Sequence, residues 1–390
     1  MKKILIISPY FPFPPRDGGK VRLYNLIKHL SSLNEVYLLA YIEPGARTDS
    51  VDMARQYCKQ VFPVLRQEEK RIISKDIPRC VSFFYTQAMI DELKKVLDIV
   101  KPDIVQLDFL IMTQYVKHIE GVPVIYTEHD MSILDFNQSF HDRDLDDKER
   151  FGYWKQLVDY EKEILNKFKS VIVLTHRDKR LIEDFNNNIK ANIIPTGVDV
   201  DLFKQKHSVN TEQSLVFVGH YRHYPNADAI IYFVNKIFNK ILEKLPKMKL
   251  YVVGSGVTKK IEELAKNNKN IIITGEVEDV SLYLQQPNIF VAPVRLGGGI
   301  KGKVLEAMSC GIPVVATKEA IDGIDYDTSN CSLVCNDEND FVNNIVSLTE
   351  NKSLYEKLAY NSRKLVENYY DWKKIANSLN DFYSKVIENK

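Results

Sequence analysis

NIFVAPVRLGGGIKGKVLEAMSCGIPVVAT, residues 288–317, contains two short apolar runs with a glycine-rich segment and a helical pattern between them. Apolar runs that are continuous, not alternating, are typical of parallel strands covered on both faces. Three consecutive glycines follow the first run, and from Lys301 apolar residues return at helical spacing. The stretch therefore predicts a strand, a glycine loop, a helix that begins near Lys301 and a second strand. This is the repeating unit of an open α/β fold.

The glycine loop has the features of an anion-binding site. A glycine-rich turn that leads into a helix leaves backbone N–H groups exposed at the positive end of the helix dipole. Lys301 and Lys303 add two positive charges there. A lysine at the start of a helix costs only about 0.3 to 1 kcal/mol, whereas a lysine about 4 Å from a phosphate oxygen gains roughly 4 kcal/mol at an effective dielectric constant near 20. A bound diphosphate would therefore more than offset the unfavourable placement.

Glu306 follows Lys303 by three residues and lies on the same face of the predicted helix. One turn behind a phosphate site, its carboxylate is placed to accept hydrogen bonds from ribose hydroxyls. Two alternatives stay open on the residues alone. Lys303 and Glu306 form a simple surface ion pair, or the whole loop only connects a strand to a helix.

Similar apolar runs recur between segments of helical period along the whole chain. They are KILIIS, EVYLLAYI, DIVQLDFL, VPVIYTEH, SVIVLT and NIIPTG, then SLVFVGH, KLYVVGSG, NIIITGE, NIFVAP, IPVVAT and CSLVC. Residues 193–213 are punctuated by proline and glycine and then polar, which indicates an interdomain linker. We therefore predict an α/β protein with two Rossmann-like, doubly wound domains that face each other across a deep cleft: residues 1–195, a linker at 196–213, and residues 214–370. Open α/β sheets bind ligands at the carboxyl ends of their strands, so functional residues are expected there.

Composition narrows the class of protein. A chain of 390 residues, 45% of them hydrophobic, can build two cores. The 53 basic residues are balanced by 52 acidic ones, so net charge gives no signal for nucleic acid. The apolar run after the N-terminal MKK is shorter than the roughly 7 to 15 residues of a signal peptide, and no run approaches the roughly 18 residues of a membrane span. Five scattered cysteines indicate reduced thiols in the cytoplasm, with Cys331 and Cys335 expected in a buried strand in preference to a metal site.

Further candidate side chains follow other predicted strands. His129 lies in YTEHD at the end of one strand, and Arg222 follows the strand LVFVG. Gly18 and Gly19 open a predicted helix and repeat the arrangement of the glycine loop. For each of them a structural role is the alternative: a hydrogen-bonded histidine, a solvated arginine or a simple turn. VVGSG at 252–256 lacks the third glycine of a dinucleotide-binding motif, and a tight turn after a strand explains it.

GGGIKGKVLEAMSCGIPVVAT, residues 297–317, resembles the donor-nucleotide motif of family-4 retaining glycosyltransferases (glycosyl transferases group 1), which have the two-domain GT-B fold. The resemblance extends over nearly the whole chain, through PYFPFPPRDGGKVRLYNLIKHL, IIPTGVDVDLF, LVFVGHYRHYPNADAI and YYDWKKIANSLNDFYSKVI. In this fold the closing helix, residues 371–390 here, crosses back onto the first domain. Most members carry two glutamates separated by seven residues. The first of these positions is Gly298 here, so the chain resembles the subgroup with GG in place of that glutamate.

The resemblance implies a set of residues that bind the donor. These residues are Gly18, Gly19, Arg222, Glu276, Val277, Gly298, Gly299, Ile300, Lys301, Lys303 and Glu306. The resemblance implies that Glu306 binds the ribose of the donor. It implies that Arg222, Lys301 or Lys303 and the backbone at residues 18–19 surround the diphosphate. The base is implied to contact the backbone at 276–277. Backbone N–H groups at 298–300 would replace the missing glutamate at the sugar. His129 is implied to contact the donor sugar or the reacting oxygens, and it is the one catalytic residue predicted.

The predicted function is that of a retaining, hexosyl-type glycosyltransferase. It would move a sugar from a UDP- or GDP-linked donor to the hydroxyl of a saccharide or lipid-linked acceptor, in polysaccharide or glycolipid assembly. We expect a cytoplasmic protein with a peripheral contact on the inner face of the membrane. Two alternatives remain: a nucleotide-sugar epimerase of the same fold, and a non-catalytic nucleotide-sugar-binding partner.

No cofactor, metal or protein nucleophile is predicted. A bound diphosphate needs cations, and the proposed phosphate loops supply lysine and arginine side chains and no aspartate. Pairs of the Asp-x-Asp type lie instead in the linker and in peripheral loops, where Asp199 and Asp201 are expected to support a turn. The three pairs are Asp199 with Asp201, Asp142 with Asp144, and Asp325 with Asp327.

Overall fold

The computed structural model describes residues 1–15, 17–43, 48–67, 71–73, 77–129, 131, 146–205, 213–266, 268–285, 289–324 and 328–389. The chain divides into two compact units. Unit 1 comprises Met1–Pro195 with Lys373–Lys390, and unit 2 comprises Thr196–Trp372. Each unit has its own parallel sheet and its own buried core. The predicted fold class, α/β with two Rossmann-like units, is confirmed.

In the described part of unit 1, seven strands form one parallel sheet in the order β3-β2-β1-β4-β5-β6-β7. The strands are β1 (Lys3–Ser8), β2 (Glu35–Ile42), β3 (Gln60–Leu65), β4 (Ile104–Asp108), β5 (Val124–Thr127), β6 (Ser170–Val173) and β7 (Lys190–Ile193). The helices are α1 (Gly18–Leu30), α2 (Thr48–Arg55), α3 (Arg79–Ser82), α4 (Gln87–Val100), α5 (Asp147–Leu165) and α6 (His176–Phe185), with a 3₁₀ helix at Leu110–His118.

The strands at the centre of this sheet are buried along their length. In β4 all five residues are buried, and in β2 residues 36–41 are buried. A strand covered by helices on both faces has no polar face, so its sequence is a continuous apolar run. The N-terminal run is β1, as predicted, and it lies inside the sheet, between β2 and β4.

The apolar runs do not predict β3, whose sequence is QVFPVL. This strand lies at the edge of the sheet and pairs only with β2. Its residues alternate between buried and more exposed, and Pro63 lies opposite Ala40. Proline cannot donate a ladder hydrogen bond, so it is tolerated at an edge and argues against a strand when the sequence is read alone.

In the described part of unit 2, six strands form a parallel sheet in the order β10-β9-β8-β11-β12-β13. The strands are β8 (Ser214–Val218), β9 (Lys249–Val253), β10 (Ile271–Gly275), β11 (Ile289–Ala292), β12 (Val314–Thr317) and β13 (Ser332–Cys335). The helices are α7 (Tyr224–Phe233), α8 (Asn239–Lys244), α9 (Lys259–Lys266), α10 (Val280–Leu284), α11 (Gly302–Ser309), α12 (Lys318–Ile321), α13 (Glu338–Glu350) and α14 (Lys352–Tyr369), with a π-helical turn at Val234–Phe238.

Both sheets reverse their strand order beside the first strand of the unit. In unit 1, β1 lies between β2 and β4, and in unit 2, β8 lies between β9 and β11. Ligands of open α/β sheets bind at the carboxyl ends of strands where the order reverses, because the flanking loops diverge there. The candidate loops are therefore those after β1 and β4 in unit 1, and those after β8 and β11 in unit 2.

The last helix, α15 (Trp372–Glu388), packs within unit 1 from Lys373 onward. Tyr383 donates its hydroxyl hydrogen to Oε1 of Gln106 on β4 at 2.5 Å. Lys2 donates to Oδ1 of Asn380 at 2.8 Å. Among the described residues, no helix combines the length and the apolar character that crossing a bilayer requires.

Candidate functional site

The glycine loop, residues 297–299, follows β11 and leads into α11. Gly297 and Gly299 have φ angles of 95° and 71°, in the left-handed region that favours glycine. Lys301 is the N-cap residue of α11, and its ammonium donates to the carbonyl oxygens of Gly297, Gly298 and Gly299 at 3.0, 2.7 and 2.8 Å. The predicted start of the helix is confirmed. The ammonium of Lys301 therefore stabilises the loop, because it donates its three hydrogens to carbonyl groups of the loop.

Lys303, in the first turn of α11, is held in place by Asn226 and Phe217. Its ammonium donates to Oδ1 of Asn226 and lies 4.9 Å from the centre of the Phe217 ring. Desolvation lowers the pKa of Lys303 to about 7; the charge of Glu306 opposes this shift, and the charge of Lys301 adds to it. No ion pair joins Lys303 to Glu306, both of which are described, so the surface-pair alternative does not hold.

Glu306 lies one turn further along α11 and is partly buried. Burial raises the pKa of its carboxyl to about 7, and the charge of Lys303 opposes that rise. Within the described chain its carboxylate has no hydrogen-bond or ion-pair partner. A partly desolvated carboxylate accepts strong hydrogen bonds, so it is available to hydroxyl groups of a ligand.

The loop after β8 packs closely against the turn after β9. A Cβ atom at Gly254, where φ is 126°, would lie 2.0 Å from the carbonyl oxygen of Gly219. A Cβ atom at Gly256, where φ is 71°, would lie 2.9 Å from Cγ of Arg222. The glycines of VVGSG therefore permit this close contact, in agreement with the turn predicted there. Arg222 is exposed, and its side chain has no partner among the described residues.

The other residues predicted for the donor line the same end of the unit 2 sheet. Gly275, with a φ of 69°, ends β10, and the exposed Glu276 follows it. Val277 and Ile300 are partly buried against the core of unit 2. The prediction assigns ligand binding to the backbone groups of these residues and not to their side chains.

In unit 1, Gly18 and Gly19 form the start of α1. The carboxylate of Asp17 caps this helix by accepting from the N–H of Lys20 at 3.0 Å. A Cβ atom at Gly18 would have no neighbour within 4 Å, whereas one at Gly19 would lie 2.7 Å from Cζ of Phe109. The lack of a side chain at Gly19 therefore serves the packing of Phe109, a reason that the sequence does not reveal.

His129 lies just beyond β5 at the carboxyl edge of the sheet. Its Nε2 atom is 3.2 Å from Oδ1 of Asp108, the last residue of β4. Its ring stacks on Phe109, with ring centres 3.7 Å apart and planes 7° apart. Glu128 next to it is buried and accepts from the hydroxyl of Tyr126. Asp130, the last residue of YTEHD, lies outside the described residues.

Three residues that contact predicted site residues are not themselves predicted from the sequence: Asp108, Phe109 and Asn226. Asn226 links the loop after β8 to helix α11, since its amide donates to the carbonyl oxygen of His220 at 3.0 Å and its Oδ1 accepts from Lys303. A polar residue at the end of an apolar strand, such as Asp108, can be recognised in the sequence as a candidate for the carboxyl edge of a sheet, where ligands bind. The asparagine gives no such signal, because its role depends on the pairing of β8 with β11, which brings the start of α7 near the start of α11.

No group of three His, Cys, Asp or Glu side chains in the described part of the chain is arranged to hold a metal ion. The carboxylate of Asp199 accepts from the backbone N–H groups of Asp201 and Leu202 at 3.0 and 2.9 Å, as expected for a turn. Cys331 and Cys335 are buried, with Cys335 at the end of β13. The pairs at 142–144 and 325–327 lie outside the described residues.

Two protein-family models match the chain. The model described as Glycosyltransferase Family 4 matches residues 16–202, and the model described as Glycosyl transferases group 1 matches residues 212–351. A Klebsiella pneumoniae protein named "Uncharacterized 44.6 kDa protein in cps region" is 22% identical over 97% of this chain and 99% of its own. An uncharacterized glycosyltransferase of Methanocaldococcus jannaschii is 24% identical over 99% and 100%. The capsular polysaccharide biosynthesis glycosyltransferase CapM of Staphylococcus aureus is 28% identical over 39% and 41%.

Solved glycosyltransferase structures have the same fold. Sucrose-phosphate synthase of Thermosynechococcus elongatus superposes with a TM-score of 0.75 at 16% identity, over 100% of both chains. HepE of Anabaena, solved in complex with UDP-glucose, superposes with a TM-score of 0.70 at 13% identity, over 99% of this chain and 100% of its own. At these identities the likeness concerns the GT-B fold.

Proposed function

Since the chain is a glycosyltransferase of the family-4 type, we propose that it transfers a sugar from a nucleotide-diphosphate donor to a hydroxyl acceptor with retention of anomeric configuration. The observation that carries the proposal is the arrangement of Lys303 and Glu306 on α11. Two desolvated groups of opposite charge lie one turn apart beside the glycine loop. The lysine is suited to a diphosphate and the glutamate to ribose hydroxyls.

The glycine loop supports this assignment through its backbone. Lys301 draws three consecutive carbonyl oxygens of the loop to one point. Because the N–H and C=O of a peptide group point in opposite directions, N–H groups near residues 298–300 are directed away from Lys301. Such outward N–H groups at a helix start bind anions, and here they take the place of the missing first glutamate at the donor.

The reaction breaks the bond between the anomeric carbon and the diphosphate oxygen and forms a bond from that carbon to the acceptor oxygen. The acceptor loses its hydroxyl proton, which passes to the departing diphosphate on the same face of the sugar, so no protein nucleophile takes part. Lys303, together with Arg222, stabilises the negative charge that develops on the diphosphate. His129 contacts the donor sugar or the reacting oxygens. Metal is not required, because these fixed cations serve the same purpose.

The donor is a UDP- or GDP-linked hexose, and the product belongs to polysaccharide or glycolipid assembly. Support comes from HepE, which was solved with UDP-glucose, and from CapM, which is named for capsular polysaccharide biosynthesis. The acceptor is a saccharide or a lipid-linked saccharide.

A panel of UDP- and GDP-sugars tests the proposal, with release of free nucleoside diphosphate measured with and without saccharide acceptors. We expect acceptor-dependent release from one donor, and a product whose anomeric configuration by NMR equals that of the donor. A new nucleotide sugar formed without acceptor would identify an epimerase instead. Binding without turnover of any donor would indicate a non-catalytic binding protein.

We also propose that the protein works in the cytoplasm with a peripheral contact on an anionic membrane surface. A pocket of about 800 Å³ in unit 1 supports this contact, since it lies at the amino ends of β5, β6 and β7, opposite the candidate site edge. Val116, Ile119 and Phe382 contribute to its apolar wall. Four exposed lysines surround it, and none is ion-paired within the described chain: Lys167, Lys169, Lys190 and Lys385. Each lysine near an anionic membrane contributes about 1 kcal/mol.

Sedimentation with vesicles of anionic or neutral phospholipid tests the contact. We expect binding to the anionic vesicles only, weakened at least about 10-fold when the four pocket lysines are replaced by alanine. A control removes the same charge from exposed lysines of unit 2: Lys236, Lys247, Lys260 and Lys266. An equal loss in both variants, or equal binding to neutral vesicles, would contradict a contact through this pocket.

A further inference from the structure

The imidazole of His129 is fixed by contacts on its face and on one edge. Phe109 covers one face at 3.7 Å, and Asp108 contacts the Nε2 edge at 3.2 Å. Only 7% of the His129 side chain and 2% of the Asp108 side chain are exposed. No hydrogen bond to Nδ1 is found among the described residues, so the Nδ1 edge is the one left for a ligand.

Phe109 reaches its place through an unfavourable backbone conformation. Its φ of 72° and ψ of 146° lie outside the regions that bulky residues prefer, at a cost of about 1 to 3 kcal/mol. Its N–H donates to the carbonyl oxygen of Thr127 at 3.1 Å, which ties the end of β4 to the end of β5. The ring fits only because Gly19 has no side chain. Such backbone conformations persist where the surrounding structure enforces them. Here the result is that the Phe109 ring lies over the ring of His129.

Asp108 carries a carboxylate that is buried beside His129. Its Oδ1 accepts from the amide of Gln106 at 3.3 Å, and its Oδ2 has no partner in the described chain. The guanidinium of Arg22, also buried, interacts electrostatically with this carboxylate and donates its own hydrogens to backbone carbonyls at 194–195. An ionised carboxylate accepts hydrogen bonds and donates none. When Asp108 is ionised, the hydrogen between Asp108 and His129 is carried by Nε2.

We propose that Asp108 is a positioning residue that holds neutral His129 in the tautomer with its proton on Nε2, so that Nδ1 faces the substrates as a hydrogen-bond acceptor. Phe109 keeps the ring in the plane that this contact requires. Nδ1 then accepts from a hydroxyl of the donor sugar or of the acceptor, and this last step rests on the proposed function. The tautomer itself does not depend on that function.

The tautomer is measured by NMR of the full-length protein labelled with ¹⁵N in its histidines, without any substrate. The protonated and the bare ring nitrogen have well-separated shifts, and we expect the Nε2–H pattern for neutral His129. In Asp108→Asn the amide offers Nε2 a donor as well as an acceptor, so the preference should be lost and Nδ1–H should appear. Asp98→Asn makes the same change on the exposed surface of α4 and should leave the spectrum unchanged.

Turnover forms the second arm of the test. With the sugar donor found active, Asp108→Asn should lower kcat about 10- to 100-fold and leave the Kd for nucleoside diphosphate within about twofold of wild type. An Nδ1–H pattern in wild type, or an unchanged pattern in Asp108→Asn, would overturn the tautomer assignment whether or not a donor is known. A changed tautomer with unchanged kcat would overturn the role in turnover and, with it, the role proposed for His129.

Discussion

Diphosphate binding should depend on pH through Lys303, and replacing this lysine should remove the dependence. Desolvation lowers the pKa of Lys303 to about 7. A lysine whose pKa is lowered carries its charge below that pKa and loses it as pH rises. The affinity for a diphosphate should therefore be highest at neutral pH and fall toward alkaline pH, in a range where an ordinary lysine, with a pKa of about 10.4, stays charged.

The size of the effect follows from the fraction of Lys303 that is protonated. With a pKa of about 7, that fraction is about one half at pH ~7 and about 1% at pH ~9. If the diphosphate binds only the protonated form, its affinity falls roughly 50-fold over this range, or ~2.3 kcal/mol. The last phosphate proton, with a pKa of about 6, is already lost throughout.

Calorimetric titration with uridine and guanosine diphosphates at several pH values, and with the matching nucleosides, measures the effect. Glu306 also titrates near neutrality, since burial raises its pKa to about 7. Its proposed partner is ribose, which both ligands contain, so its contribution cancels in the ratio of the two affinities. In wild type this ratio should change with pH, with about one proton taken up on diphosphate binding at high pH.

Lys303→Ala should bind diphosphate about 10-fold or more weakly near neutral pH and show a constant ratio. Lys301→Ala is the matched control, because its ammonium is bound to the carbonyl groups of the glycine loop. We expect that variant to lose less affinity and to keep the pH dependence. A wild-type ratio that is flat with pH, or an equal loss of nucleoside and diphosphate affinity in Lys303→Ala, would refute the assignment of Lys303 to phosphate.

Four further outcomes are expected. Glu306→Gln should weaken nucleoside and diphosphate binding alike by about 1.5 to 3 kcal/mol in calorimetry, because an amide accepts hydrogen bonds less strongly than a carboxylate. Unchanged affinities would show that this residue does not bind the ribose. His129→Ala should lower kcat while the Kd for diphosphate stays constant, and unaltered kcat would mark the histidine as structural. Gly19→Ala should reduce kcat because its Cβ would lie 2.7 Å from a ring carbon of Phe109. Gly18→Ala, whose Cβ has no neighbour within 4 Å, should behave as wild type. Equal losses of kcat in both variants would point to the shared helix start instead. Activity should persist in excess chelator and in Asp201→Asn, and loss that Mn²⁺ restores would show that the protein does need a metal.

The βα repeat could be predicted because a strand buried on both faces and a helix with one apolar face each leave a local pattern in the sequence. The glycine loop and the start of α11 could be predicted for the same reason, since φ preferences and helix capping act within a few residues. The edge strand β3 could not, because Pro63 opposes a strand unless its edge position is known.

The contacts within the candidate site depend on which strand ends become neighbours. Asp108 and His129 are 21 residues apart, and they meet because β4 pairs with β5. Asn226 and Lys303 are 77 residues apart and meet because β8, which precedes α7, pairs with β11, which precedes α11. Neither pair has a signature within one segment. The resemblance to a family made the lysine and the histidine candidates, but it did not predict the residues that contact them.

The close packing of Gly19 against Phe109 has a consequence for how this chain can vary. Alanine at position 19 is obstructed by a ring carbon and not by the backbone, so the obstruction disappears if position 109 carries a smaller side chain. The effects of the two substitutions should then be non-additive, as they are for residues in direct contact. In an evolutionary lineage the order of change matters: a small residue at 109 has to come first, and only afterwards does position 19 tolerate a side chain. The residues allowed at the two positions are therefore coupled, although the positions are 90 residues apart in the sequence.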